Sequence, residues 1–120
     1  MATPTLTPVA TNRTTGVGGT DLSAAAVAAN VAGDTWANTG REMVYIENGS
    51  GSPITLTMVL AATATIDGIA TTSRTLSLVA AKRYVLGPFP PGAYNDVNGF
   101  MNLTYSGVTS LKVLVFYLGN

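Results

Sequence analysis

The chain has no cysteine and no histidine. The first absence excludes disulfides and thiolate metal sites. The second removes the commonest transition-metal ligand and the commonest general base. Charge is scarce too: only 10% of residues are charged, against about 25% in an average domain. Six basic residues balance six acidic ones, so the basic surplus of a nucleic-acid binder is missing. No stretch approaches the ~20 apolar residues of a membrane span. The opening Met1-Ala2-Thr3-Pro4 lacks the basic start and apolar run of a targeting signal. The expectation is a protein made in a cytoplasm, with no cofactor, no metal, no nucleic acid and no membrane among its partners. A free surface this poor in charge is weakly protected against association, so much of it is expected to lie against something else. At 120 residues the chain is one domain, long enough for a single core without staples.

Proline and glycine are concentrated where they punctuate. Gly87-Pro88-Phe89-Pro90-Pro91-Gly92-Ala93-Tyr94-Asn95-Asp96 holds three of the six prolines. Each proline removes a backbone donor and fixes φ, so neither a helix nor a central strand is expected to run through it. Strand-like runs flank it, Arg83 to Leu86 before, Phe100 to Ser106 and Leu111 to Leu118 after. It is expected to be a rigid corner at one end of a β core. Phe89 and Tyr94 either plug that core or, with Pro90 and Pro91, offer a stiff surface to a protein partner.

Residues 1–20 are dominated by Thr, Pro, Gly and Ala. Pro4 and Pro8 favour extended backbone, and fully extended the segment reaches ~65 Å. It is expected to be an arm ordered on another chain, with Pro4, Leu6, Pro8, Val9 and Val17 as its anchors. Residues 21–120 are expected to form the single folded domain. Asp21 to Val31 is ambiguous between one short helix and an irregular extended segment. Gly33 to Gly40 reads as a loop with Trp36, the only tryptophan, as its plug.

From Arg41 onward the period is two. Ile54, Leu56, Met58 and Leu60 share one face, opposed by Thr55 and Thr57. Asn48 to Pro53 and Asp67-Gly68 are turn signals. Leu76 and Leu78 alternate with Thr75 and Ser77, and Met101, Leu103 and Tyr105 with Asn102 and Thr104. The last strand is apolar on both faces, with Leu111, Val113, Val115 and Tyr117 opposed by Lys112, Leu114, Phe116 and Leu118. One face of a sandwich strand meets the core, so the other face needs a second cover. About six or seven short strands at roughly ten-residue spacing predict an all-β fold, an antiparallel β-sandwich or jelly roll with an extended N-terminal arm. Its core is expected to contain Leu56, Met58, Leu76, Leu78, Leu103, Val113 and Val115.

Nothing assembles into catalytic equipment. No histidine or cysteine activates the serines and threonines. A Ser–Lys pair with Lys82 or Lys112 lies in no recognisable motif. The six carboxylates, Asp21, Asp34, Glu42, Glu47, Asp67 and Asp96, sit mostly in turns or at strand ends, where turn chemistry accounts for Asp67 and Asp96. No calcium-loop spacing occurs, and the glycines at 16, 18 and 19 lack the Lys-Ser/Thr of a phosphate loop. The chain is expected not to be an enzyme, with no catalytic, cofactor or metal residues. Trp36, Tyr94 and Tyr105 could stack on a sugar ring, which keeps a carbohydrate-binding module as an alternative.

One order of motifs is more specific. Gly33-Asp34-Thr35-Trp36-Ala37-Asn38-Thr39-Gly40-Arg41, then Glu47-Asn48-Gly49-Ser50, then Gly87 to Asp96, then Thr104-Tyr105-Ser106, resembles small structural proteins of tailed bacteriophages, the head decoration or cement proteins. The resemblance covers roughly residues 33–118, and the Gly-Pro-Phe-Pro-Pro-Gly-x-Tyr-Asn-Asp stretch is its most specific part. It implies a β-sandwich that binds the major capsid protein on the outside of the virion and assembles as a homotrimer. Tail and fibre components share such sandwiches and are the nearest alternative.

Overall fold

In a computed structural model, residues 5–10, 22–60, 65–66, 69–70 and 73–117 are described. They form eleven strands and two single-turn helices: β1 (Val9–Ala10), α1 (Leu22–Ala25), β2 (Val27–Ala28), β3 (Asp34–Ala37), β4 (Met43–Asn48), β5 (Ile54–Val59), β6 (Thr65–Ile66), β7 (Ile69–Ala70), β8 (Ser73–Leu78), β9 (Lys82–Leu86), α2 (Pro91–Tyr94), β10 (Phe100–Tyr105) and β11 (Leu111–Tyr117).

Two antiparallel sheets pack as a sandwich. One has the order β3-β10-β5-β8; the other runs β11-β4-β9, with β1 and β2 on the outer edge of β11. The hairpin β6–β7 is a separate two-stranded sheet, with Ile66 opposite Ile69; the Asp67-Gly68 turn between them lies outside the described residues. Leaving out β1 and the hairpin, eight strands remain, and their pairing is nested. The first pairs with the eighth (β2–β11), the second with the seventh (β3–β10), the third with the sixth (β4–β9) and the fourth with the fifth (β5–β8), all antiparallel.

The period-two rows produce this arrangement. Ile54, Leu56, Met58 and Leu60 are all buried, while Thr55 is exposed and Thr57 half-buried. They meet Trp36, Val44, Ile46, Leu78, Met101, Leu103, Leu111, Val113 and Val115 in one core between the sheets. Full burial of each such side chain contributes about 1.5–3 kcal/mol. Leu76 is only half-buried, because β8 is the edge of its sheet.

Three local expectations need correction. Asp34–Ala37 is a strand rather than part of a loop, because Trp36 lies opposite Met101, and Asp34 opposite Leu103, in β10. Gly33 makes the entry possible. Its φ is +97°, and a Cβ there would collide with the carbonyl oxygen of Leu103, so only glycine fits. The second correction is at residues 22–28, where one helical turn is followed by a two-residue strand, so both alternatives are realised in succession. The third is the proline corner, which does contain a single helical turn, Pro91–Tyr94. Proline is tolerated there because the first helical residues have no intrahelical acceptor to lose.

The second cover for β11 comes from its own chain. Leu114, Phe116 and Tyr45 form a smaller buried cluster with Val9, Ala25, Ala26 and Met43 packed against it. Leu118 lies outside the described residues.

Candidate protein-interaction surfaces

The arm and the proline corner are the two surfaces that the sequence points to. Of the arm anchors, Pro4 and Val17 lie outside the described residues. Thr5–Ala10 lie against this chain's own sandwich, with Thr5 in a bridge and Val9–Ala10 in a strand. Thr5 bridges Thr35 in parallel, and the Leu6 N–H donates to the Thr35 carbonyl at 2.7 Å. Four residues on, Val9 and Ala10 pair in parallel with Phe116 and Tyr117. The segment therefore crosses from the edge of one sheet to the edge of the other. Leu6 packs against the main core and Val9 against the outer cluster, with Pro8 half-buried between them. Threonine and proline suit this path, since both tolerate extended backbone.

At the corner, Phe89 and Tyr94 are buried in the main core, as the plugging alternative has it. Phe89 sits 6.0 Å from Trp36 and 5.2 Å from Tyr94, centroid to centroid, the second pair edge-on. That geometry adds to simple burial. Gly87, with φ +105°, lets the chain turn in under the Phe89 ring. Two asparagines lock the loop. The Asn38 side-chain amide donates to the Phe89 carbonyl at 3.0 Å and to the Asn95 side-chain oxygen at 2.7 Å. Asn95 returns the contact through its own amide, to the carbonyls of Asn38 (2.8 Å) and Gly99 (3.1 Å). The Tyr94 hydroxyl accepts from the Arg74 guanidinium at 3.0 Å. The outward surface of the corner is therefore Pro88, Pro90, Pro91 and Gly92, with the fully exposed Val97 nearby.

The carboxylates behave differently from one another. Asp96 is the turn residue its sequence suggests, accepting from the N–H groups of Asn98 (2.8 Å) and Phe100 (3.0 Å) and from the Asn102 amide (3.1 Å). Those bonds, the one from Phe100 foremost, lower its pKa. Asp34 is not a solvated turn residue: it is buried on β3, accepts from the Tyr105 hydroxyl at 2.7 Å, and receives a longer bond from Asn30 N–H at 3.2 Å. Burial, and then the Asp34 carboxylate, push the Tyr105 hydroxyl far above its ordinary pKa. Glu42 is buried as well. Burial raises its pKa, but hydrogen bonds from the Thr39 N–H and hydroxyl, with the nearby backbone donors of Glu42 and Arg41, outweigh that and lower it. Glu47 forms the surface ion pair with Arg83 at 3.3 Å and accepts from the Tyr45 hydroxyl. Among the described residues no group of three or more Asp, Glu, His or Cys could hold a metal ion.

The residues that sequence reasoning missed are the buried polar ones. Asn38, Asn48 and Asp34 read as loop residues, and each is the hub of a hydrogen-bond cluster. Asn48 bonds to the carbonyls of Ser52 and Leu78, both at 2.9 Å, and so ties β4 to the other sheet. Their one visible signal was position, each standing at the boundary between a turn signal and an apolar run.

No protein-family model, no curated protein and no solved structure matches the chain.

Proposed function

We propose that this chain is a head decoration protein of a tailed bacteriophage. It is a non-enzymatic part of the virion that binds the major capsid protein on the outer surface of the shell and stabilises the shell by bridging neighbouring subunits. The observation that carries this proposal is the nested pairing of eight strands, first with eighth through fourth with fifth. A ribbon paired in this way and wrapped into two sheets is compatible with a jelly roll, an architecture that builds viral capsid and lectin domains. This support is an analogy of architecture, and the motif order from Gly33 to Ser106 supplies the independent reason to choose the capsid. The sugar-binding alternative is weakened by its own residues. Trp36 and Tyr94 are buried, so two of the three offer no open stacking face, and the Tyr105 hydroxyl is already held by Asp34.

The test uses the full chain and shells assembled from a major capsid protein alone. Saturable co-sedimentation with the shells, and a higher temperature of shell disruption when the protein is bound, are the expected results. Failure to bind shells, together with binding to isolated tails or to a glycan array, would replace this reading by one of the alternatives.

A further inference from the structure

Two sheets have four edges, and three of them are protected. The β3 edge carries the Thr5 bridge and the Leu6 hydrogen bond. The β11 edge carries both β1 and β2. The β9 edge begins with two exposed cations in succession, Lys82 and Arg83, the device by which sheet edges commonly repel further strands. The fourth edge is β8, which has no outer partner among the described residues. It pairs residue for residue with β5 from Val59↔Ser73 to Ile54↔Leu78 without a bulge. It contains no proline. Its single charge, Arg74, stands on the core-facing row opposite Met58 and donates to the Tyr94 hydroxyl at 3.0 Å, so no charge stands on the outward row.

We infer that β8 is a pairing edge, and that its occupant is the β8 strand of a second copy of this chain, antiparallel about a twofold axis. Self-pairing fits the residues on both faces. With the axis at Leu76, Leu76 meets its own copy, Thr75 meets the second copy's Ser77, and Arg74 meets the second copy's Leu78, so no like charges are opposed. The outward row, Ser73, Thr75 and Ser77, is exposed and uncharged. Hydroxyls both donate and accept, so this row is compatible with itself. On the inward row, Leu76 is half-buried although its neighbour Leu78 is fully buried, and pairing covers what is left open. The two four-stranded sheets then run on as one sheet of eight. This contact is independent of the capsid reading, and it differs from the threefold assembly that the resemblance implies.

The experiment is sedimentation equilibrium of the full chain up to about 1 mM. The wild-type chain is expected to show a monomer–dimer equilibrium. The double variant Thr75→Lys/Ser77→Lys sets like charges opposite each other across both symmetry-related pairs and is expected to weaken the dimer by about tenfold or more. Thr75→Lys/Ser77→Glu sets opposite charges across the same pairs and is expected to restore dimerisation. Both positions are exposed, and unchanged circular dichroism and melting temperature verify the fold of each variant. A wild-type chain that stays monomeric throughout, or an oligomer of any size that the double-lysine variant leaves intact, would overturn the inference. So would a double-lysine loss that the Lys/Glu variant does not reverse.

Discussion

Tyr105→Phe is the most informative single change in this domain, because it removes one oxygen and leaves the packing alone. The Tyr105 hydroxyl donates to the buried Asp34 carboxylate at 2.7 Å, and the only other described bond to that oxygen is the longer one from Asn30. A hydrogen bond to a charged group contributes about 1.5–3 kcal/mol, and leaving a buried acceptor short of a donor costs the upper part of that range. The expected loss at pH 8 is therefore ~2–3 kcal/mol. The alkaline limb supplies a second, sharper reading. Burial and the Asp34 carboxylate raise the hydroxyl pKa in the folded state above its ordinary value of 10.0. Above pH 10 the unfolded chain thus releases this proton and the folded chain keeps it. Stability from Tyr105 is full below that pH and falls beyond it by ~1.4 kcal/mol per pH unit until the folded hydroxyl titrates. Urea unfolding of both proteins at a series of pH values separates this residue from the other tyrosines, since only the difference between the two curves is used. The advantage of the wild-type chain should close between about pH 10 and pH 12. A difference below about 0.5 kcal/mol at pH 8, or one that stays constant to pH 12, would show that the Asp34–Tyr105 bond does not hold the fold.

Two further changes test the core and the acid limb. Leu103→Ala removes a fully buried side chain from the middle of β10 and should lower unfolding stability by ~2–5 kcal/mol in urea. Glu42→Gln should flatten the acid limb: the folded pKa of Glu42 lies below its ordinary value of 4.5, so its stabilisation is present above that pH and is lost as the pH falls through the folded value, and melting temperatures followed from pH 6 downward should converge for the two proteins.

Legibility followed the hydrophobic period. Where apolar and hydroxyl residues alternate cleanly, as in Ile54–Leu60, the strand, its inward face and its burial could all be read directly. The period also showed that β11 needs covers on both faces, and its outer cluster with Tyr45, Val9 and Ala25 is that second cover. What could not be read was anything decided by a distant partner. Asp34 looks like a turn residue until Tyr105, far along the chain, supplies a donor. Trp36 sits in a stretch dense with Gly, Asp and Asn, and it is a strand residue only because β10 pairs with it. Local propensity there was overridden by tertiary pairing. Pro90 and Pro91 could be placed on the corner surface, whereas the inward turn of Phe89 depends on the Asn38–Asn95 lock.

Under the proposed function, the seat of Thr5–Ala10 would limit how the arm bridges neighbours on a shell. Thr5–Ala10 already occupy the seam of their own sandwich, so an arm that reaches a neighbour must first leave that seat. Leu6 and Val9 are each half-buried, and half-burial of such side chains contributes only about 1 kcal/mol apiece. Fixing the backbone costs about 1–2 kcal/mol per residue, which offsets much of the arm's main-chain bonding. The hold on the arm is therefore small, and moving it to an equivalent seat on another copy exchanges the same contacts at little net cost. If the chain binds a shell as proposed, the bridging energy of the arm would be the difference between two similar seats, and strong attachment would have to come from the rest of the sandwich surface. Many weak bridges acting together remain effective on a lattice, because each neighbour is held at high local concentration by the others.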